Sequence, residues 1–173
     1  FRVSCVLRWP GKIPAGTVCN KVAGTIDLLP SIAALVGADL PEAKIDGKSI
    51  VSLMTGEPGA ESPHEAYYYY YHVNELHGVR YQNWKMYFPH RYRTLNGRPG
   101  GTNGEPVNYD YNTIDQIELY DLSKDISETT DVAAEHPEVV AKIKLLADKI
   151  RTELGDKMYD QVGIGNRPIG RVE

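Results

Sequence analysis

The chain has 173 residues, of which 42% are hydrophobic and 24% charged, and its formal net charge is −4. This length allows one domain with a real core, or one small domain plus a piece of another. The acidic balance excludes the basic surface of a nucleic-acid-binding protein, and the longest apolar runs are too short to span a membrane.

The first segment, FRVSCVLRWPG, has the composition of a buried strand. Cys5-Val6-Leu7 is an apolar run with Val3 and Trp9 close by, and Pro10-Gly11 ends it. Strands buried on both faces normally lie inside a parallel sheet. We therefore expect the last strand of a larger sheet, whose other strands come from sequence preceding Phe1. Cys5 and Cys19 are either bridged or two free thiols, and the sequence leaves both possibilities open.

A helix is predicted within TIDLLPSIAALVG. Asp27 is a typical N-cap, Pro30 suits the first turn, and Gly37 is a typical end. The helix is apolar nearly all round, which indicates that further protein covers it. A short helix is expected in IDGKSIVSLMTGE, and the Gly- and Pro-rich residues 57–64 are expected to form a linker.

The second half of the chain has strand patterns followed by one helix. Strands are predicted in EAYYYYYHV, in IELYDL and on both sides of a Gln82-Asn83 turn, with residues 89–111 as a long loop. The helix PEVVAKIKLLADKIRTELG carries a stripe of Val139, Ile143, Leu146, Ile150 and Leu154. The pattern predicts an α+β fold in which a small antiparallel sheet packs on a long C-terminal helix, followed by an extended tail over residues 158–173.

The densest group of cationic and titratable side chains is His90-Arg91-Tyr92-Arg93. Arginine offers a fixed fork of donors to oxyanions, so His90, Arg91 and Arg93 are candidate contacts to an anionic substrate. The alternative is a solvated end of a hairpin, or contacts to a further domain.

Three other groups have a structural and a functional interpretation. The Tyr67–Tyr71 run suits a half-buried strand, and its exposed face could also stack on sugars. The RPGGTNG segment lacks the Lys-Ser/Thr ending of a phosphate loop and indicates plain turns or a lid. Asp121, Asp125, Glu128 and Asp131 fit no calcium-loop spacing, so we expect turn and capping roles.

Four segments, occurring in the same order along the chain, resemble the C-terminal portion of the arylsulfatase family, within the alkaline-phosphatase-like superfamily. They are FRVSCVLRWPGKIPAGT, then TIDLLPSIAALVG with IDGKSIVSLMTGE, then HGVRYQNWKMYF, and finally IELYDLSKDISETTDVAAEHPEVV. Two positions depart from the pattern, because Ser4 and Ile126 stand where the family usually has proline. The resemblance runs from Phe1 to about Asp156.

The resemblance implies that residues 1–56 end an α/β catalytic domain and that residues 65–157 form a C-terminal subdomain. In this family a formylglycine attacks the sulfate ester and calcium holds the sulfate. Neither Cys5 nor Cys19 has the sequence context of the family's nucleophile, so we assign no catalytic and no metal-binding residue to this chain. The resemblance places the loop that holds His90, Arg91 and Arg93 near the mouth of the active site.

The implied partners are the missing N-terminal catalytic domain and a sulfated small molecule or glycan. A periplasmic or extracellular location is implied as well, and the isolated fragment is expected to be inactive and to form a homo-oligomer. Two alternatives stay open at this point. One is a phosphodiesterase or phosphonate hydrolase on the same scaffold, and the other is a non-catalytic module that binds carbohydrate or protein.

Overall fold

A computed structural model describes residues 3–167, and the chain divides into two compact units between Glu65 and Ala66. The first unit contains a 3-10 turn, Thr25–Asp27, followed by the helices α1, Leu28–Val36, and α2, Val51–Thr55. Gly37 ends α1 with a φ of +67°, a left-handed conformation that favours glycine. Both predicted helices of this unit are confirmed.

The predicted opening strand is wrong. Residues 3–9 have no strand conformation, and the side chains of Val3 and Val6 are 81% and 91% exposed. A strand is held by the hydrogen-bond ladder to its neighbours, and no strand within residues 3–167 pairs with this segment. The apolar composition was therefore not sufficient to define a strand here.

The second unit is built on a four-stranded antiparallel sheet of order β1-β2-β3-β6. Its strands are β1, Ala66–Tyr71; β2, Glu75–Tyr81; β3, Trp84–Tyr87; and β6, Glu118–Asp121. The predicted hairpin is confirmed, with Gln82 in the turn at a φ of +51°. The pairing shifts between Tyr69 and Tyr70, and this irregularity lets Leu76 and Val79 both enter the core.

The long helix α3, Pro137–Leu154, packs on this sheet. Ile143 and Ala147 are fully buried in the same cluster as Met86 and Leu119. The predicted helix is confirmed, and so is the α+β class, because small antiparallel sheets and helices occur together. No helix among residues 3–167 has the length and apolarity needed to cross a bilayer.

The loop predicted for residues 89–111 contains more structure than expected. β4, His90–Thr94, pairs antiparallel with β5, Asp110–Ile114, in a separate two-stranded sheet. The sequence prediction missed this pair because its partners are up to 24 positions apart and β5, DYNTI, carries no strong strand pattern.

The described part of the predicted tail contains short elements of regular structure. A 3-10 turn at Lys157–Tyr159 separates two short paired strands, β7, Gly155–Asp156, and β8, Gln161–Val162. Residues 163–167 continue without helix or strand, and residues 168–173 of the predicted tail lie outside the described residues.

Candidate functional site

The three candidate residues lie on opposite faces of β4. Successive side chains of a strand alternate, so His90 faces one way and Arg91 and Arg93 face the other. His90 is 8% exposed, whereas both arginines are exposed. The structure thus brings the two arginines together and places His90 beneath the strand.

Arg91 and Arg93 each stack on a tyrosine of β5 or of the residues just before it. Arg91 Cζ lies 4.1 Å from the ring centroid of Tyr111, and Arg93 Cζ lies 5.6 Å from that of Tyr109. Arg93 Nη2 also donates a 2.7 Å hydrogen bond to the Tyr71 hydroxyl. We call the surface formed by Arg91, Arg93, Tyr109 and Tyr111 the arginine face.

The arginine face presents two positively charged groups to solvent. Tyr109 and Tyr111 are each about half exposed, and no carboxylate within residues 3–167 forms an ion pair with Arg91 or Arg93. Stacking restricts each guanidinium while leaving its N–H edge available. The arrangement suits an anionic ligand that also has an apolar ring face, such as an acidic or sulfated sugar.

His90 belongs to a stack of histidine and tyrosine rings. The His90 and His77 centroids are 4.0 Å apart with planes 27° from parallel, and His72 lies 6.2 Å beyond His77. His90 Nδ1 is 2.7 Å from the Phe88 carbonyl, and His77 Nε2 is 2.9 Å from Glu75 Oε2. Both interactions orient the rings.

Burial lowers the pKa of His90, and the nearby His77 lowers it further. The hydrogen bond to the Phe88 carbonyl and the more distant carboxylates of Glu118 and Glu75 oppose this shift in part. His90 is therefore neutral at pH 7, with Nδ1 as the proton donor to Phe88 O.

Arg98 organises the Gly-rich segment. It forms a 2.9 Å ion pair with Asp110 and donates to the carbonyl groups of Leu95 and Asn108. Glu105 N donates to Thr102 O in a further turn. These contacts confirm turn chemistry for RPGGTNG.

The tyrosine run and most of the acidic group have structural roles. Tyr68 and Tyr70 pack against the core, and the Tyr70 hydroxyl donates to Gly155 O. Asp125 accepts from the backbone N–H groups of Thr129 and Thr130, as expected for a turn residue. Asp121 likewise accepts from Ser123, and Asp131 from Leu119 and Ala133.

Glu128 has a role that the sequence analysis missed. Its carboxylate lies 2.6 Å from Lys85 Nζ and accepts a 2.8 Å hydrogen bond from the Tyr87 hydroxyl. Burial, followed by the hydrogen bond to Glu128, raises the pKa of Tyr87 and keeps its hydroxyl protonated as a donor. The alternation of side chains along β3 predicts that Lys85 and Tyr87 share one face of the strand. The sequence pattern does not show that the segment containing Glu128 packs on that face.

The first unit contains a buried carboxylate, Asp27. It accepts from the backbone N–H groups of Gly24 and Lys48, and His64 Nε2 lies 2.7 Å from its Oδ1. The Ser31 hydroxyl donates to the Asp27 carbonyl and accepts from Ile50 N. Asp27 holds the predicted N-cap position of α1, but its side chain ties α1 to the loop before α2 instead of capping the helix.

The described residues do not fit a calcium ion or a formylglycine. No group of three or more His, Cys, Asp or Glu side chains within residues 3–167 is placed to hold a metal. Cys5 and Cys19 are free and exposed, and neither has the sequence context of a formylglycine precursor.

Two protein-family models match the chain. Residues 62–170 match the C-terminal region of aryl-sulfatase, and residues 1–94 match the C-terminal part of N-sulphoglucosamine sulphohydrolase. Among curated proteins, steryl-sulfatase of Mus musculus is 30% identical over 88% of this chain, and arylsulfatase A of Homo sapiens is 34% identical over 80%. The aligned regions are 26% and 28% of those relatives, so the chain spans about a quarter of their length.

Two solved structures share the fold. One, from work on the metabolism of multiple glycosaminoglycans by Bacteroides thetaiotaomicron, has a TM-score of 0.52 and 25% identity, covering 73% of this chain and 24% of its own. The other was solved in complex with its substrate D-glucosamine-2-N,6-O-disulfate. Its TM-score is 0.55 at 21% identity, covering 89% of this chain and 28% of its own.

Proposed function

The chain belongs to the sulfatase family as a C-terminal region, and on this basis we propose that it completes an enzyme that hydrolyses sulfate esters. The observation that carries the proposal is the match of residues 62–170 to the aryl-sulfatase C-terminal region. The relatives named above are sulfatases, which favours a sulfate ester over a phosphodiester or phosphonate substrate.

The formylglycine nucleophile and calcium would come from the part of the enzyme outside this chain, since no side-chain group within residues 3–167 fits a metal ion and neither cysteine has the sequence context of the nucleophile. No step of the reaction is assigned to residues of this chain. Its proposed contribution is to complete the fold and to contact the substrate beyond the sulfate group. We propose a periplasmic or extracellular location on the strength of the family resemblance.

The proposed contact to substrate is the arginine face, with His90 beneath it. An aryl or carbohydrate sulfate is anionic, and Arg91 and Arg93 offer fork-shaped donors held by their stacked tyrosines. His90 would act by orienting β4 through its hydrogen bond to Phe88 O and its stacking on His77. The alternative is a direct contact between His90 and the substrate.

The first unit offers an apolar surface for the preceding domain. Its exposed apolar side chains include Val3, Val6, Leu29, Ile32 and Val36, with exposed fractions from 54% to 91%. Leu29, Ile32 and Val36 follow one another on α1 at spacings of three and four and therefore share one face of the helix, and monomers rarely expose large apolar patches. We propose that the preceding catalytic domain covers this surface in the intact enzyme, and that a second copy covers it when the chain is isolated.

The test is steady-state kinetics of the intact enzyme on two substrates, a small aryl sulfate and a sugar that carries more than one sulfate. Arg91→Ala, Arg93→Ala and His90→Ala should each lower kcat/KM for the sugar about 10- to 150-fold, which corresponds to the loss of a charged hydrogen bond of about 1.5–3 kcal/mol. The two arginine variants should change the aryl sulfate reaction much less.

The control is Lys124→Ala, which removes a cation whose side chain is 81% exposed in the same unit. It should leave kcat/KM unchanged on both substrates. If all three candidate variants match the wild type on the sugar, His90, Arg91 and Arg93 do not contact or orient substrate, although the chain would still belong to a sulfatase.

A further inference from the structure

The segment between β4 and β5 contains two Asn-Gly dipeptides, Asn96-Gly97 and Asn103-Gly104, and the sequence has no others. Asparagine is a chemically labile residue. It is most labile before glycine, because a residue without a Cβ leaves its backbone nitrogen open to reaction with the asparagine side chain. None of these four residues belongs to the arginine face.

The two dipeptides have the same backbone structure. The φ angles are +48° and +78° at Asn96-Gly97, and +55° and +79° at Asn103-Gly104. In each, the N–H of the residue after the glycine donates at 2.9 Å to the carbonyl of the residue before the asparagine. Two positive φ angles under such a bond are typical of a type I′ turn. All four residues are exposed, so backbone geometry and access to water do not distinguish the two sites.

The side chain of Asn96 is held at both ends. Its Nδ2 donates to Asp110 Oδ2 at 3.0 Å, and its Oδ1 accepts from Asn112 Nδ2 at 3.1 Å. Its backbone N–H donates to Thr94 Oγ1 at 3.0 Å. Asp110 is itself fixed by the 2.9 Å ion pair with Arg98. The amide of Asn96 is therefore anchored to β5.

The side chain of Asn103 has no such anchor, since no hydrogen bond or ion pair within residues 3–167 involves it. Its carbonyl carbon can turn onto the backbone nitrogen of Gly104 by rotation of an exposed side chain. The same movement at Asn96 first breaks two hydrogen bonds. Two bonds of ordinary strength slow a step that must break them by about tenfold.

We propose that Asn103 is the site at which this chain deamidates, and that the hydrogen bonds to Asp110 and Asn112 protect Asn96. In the first step Gly104 N attacks Asn103 Cγ. The new N–Cγ bond replaces the Cγ–Nδ2 bond, and the amide nitrogen leaves as ammonia with the proton of the Gly104 N–H. Water then opens the cyclic imide at either carbonyl and yields aspartate or isoaspartate. Nothing is oxidised or reduced, and water is the only co-reactant.

The modification changes the segment that joins the two strands next to the arginine face. Either product adds one negative charge to this segment, and isoaspartate also lengthens its backbone by one atom. The proposal does not rest on the sulfatase activity, because it depends only on the turns and hydrogen bonds of the segment itself.

The test is a timed incubation of the full chain at mildly alkaline pH, folded and in urea, followed by tryptic digestion and mass spectrometry. Trypsin does not cleave the Arg98–Pro99 bond, so both dipeptides lie in the peptide Thr94–Lys124 and are compared within one molecule. Electron-transfer fragmentation localises the mass increase and distinguishes isoaspartate from aspartate. A sample digested without incubation corrects for deamidation during the digestion.

In the folded chain, Asn103 should deamidate about tenfold faster than Asn96. In urea, which removes the hydrogen bonds, the two rates should become similar. Asn112→Ala releases one end of the Asn96 amide and should speed its deamidation several-fold, with the Asn103 rate unchanged. The matched control is Asn108→Ala, which shortens an exposed asparagine of the same segment and should change neither rate.

A second measurement follows the added charge. Anion-exchange chromatography of the folded chain should resolve an acidic species that grows with time. Asn103→Gln should remove this species, because glutamine must close a larger ring and reacts far more slowly. Equal rates at Asn96 and Asn103 in the folded chain, a faster rate at Asn96, or an Asn96 rate that Asn112→Ala leaves unchanged would overturn the proposal.

Discussion

Removal of the Glu128 side chain should destabilise the second unit strongly. Lys85 is 7% exposed and its ammonium lies 2.6 Å from Glu128 Oε1, while the Tyr87 hydroxyl donates to the other carboxylate oxygen. Glu128→Ala therefore removes the carboxylate that pairs with the nearly buried Lys85 ammonium. It also removes the hydrogen-bond acceptor of the half-buried Tyr87 hydroxyl. Both losses occur in the sheet that carries the core residue Met86.

The expected cost follows from burial. Breaking a buried ion pair from one side costs about 3–5 kcal/mol, and orphaning a buried hydroxyl adds about 1–3 kcal/mol. The Glu128 side chain is 25% exposed, so water can replace part of it, and the rings of Tyr69 and Tyr87 still lie about 5 Å from the ammonium. We expect Glu128→Ala to lower the free energy of unfolding by about 3 kcal/mol.

The assay is equilibrium unfolding in urea, followed by the fluorescence of the two tryptophans and by circular dichroism. The control is Lys157→Ala, which removes a pair of similar length, 2.8 Å, whose side chains are 63% and 86% exposed. It should cost less than about 1 kcal/mol. If the two variants lose the same stability, the burial of Lys85 does not determine the strength of its pair.

The remaining predictions concern His90 and association. Burial lowers the pKa of His90 below its ordinary value of 6.5, so just below pH 6.5 the imidazole is protonated in the unfolded chain but not in the folded one. The free energy of unfolding should therefore fall as the pH drops below about 6.5, by up to about 1.4 kcal/mol per pH unit. His90→Gln should flatten this dependence between pH 6.5 and 5, and an unchanged slope would assign it to other groups. Sedimentation of the isolated chain should show concentration-dependent association, which Ile32→Glu, at a position 56% exposed, should weaken. A clean monomer of 19.3 kDa at all concentrations would contradict the proposed role of the apolar surface.

Local signals in the sequence predicted the helices and the central hairpin. Pro30 and Gly37 define α1 through backbone conformations that only neighbouring residues influence. The turn at Gln82 and the alternation of β2 and β3 likewise require no distant partner. Such elements can be predicted from the sequence because interactions between neighbouring residues form them.

The wrong and missed predictions concern segments whose conformation depends on residues that are distant in the sequence. Val3–Leu7 has strand composition, but no strand within residues 3–167 pairs with it, and β5 becomes a strand only because β4 pairs with it. The candidate site was partly predicted, since the side-chain chemistry of Arg91 and Arg93 is visible in the sequence. The stacking on Tyr109 and Tyr111, the burial of His90 and the convergence of Phe88, Arg151 and Tyr159 required the tertiary structure.

The most direct test of the proposed function is sulfate release from a chromogenic aryl sulfate with calcium present, by this chain alone and by the protein that includes its preceding segment. We predict that the longer protein releases sulfate, that the chain alone releases none above buffer, and that the longer protein has far lower activity on a phosphodiester. Turnover by the chain alone that survives repurification, or phosphodiester hydrolysis by the longer protein without sulfate release, would contradict the account.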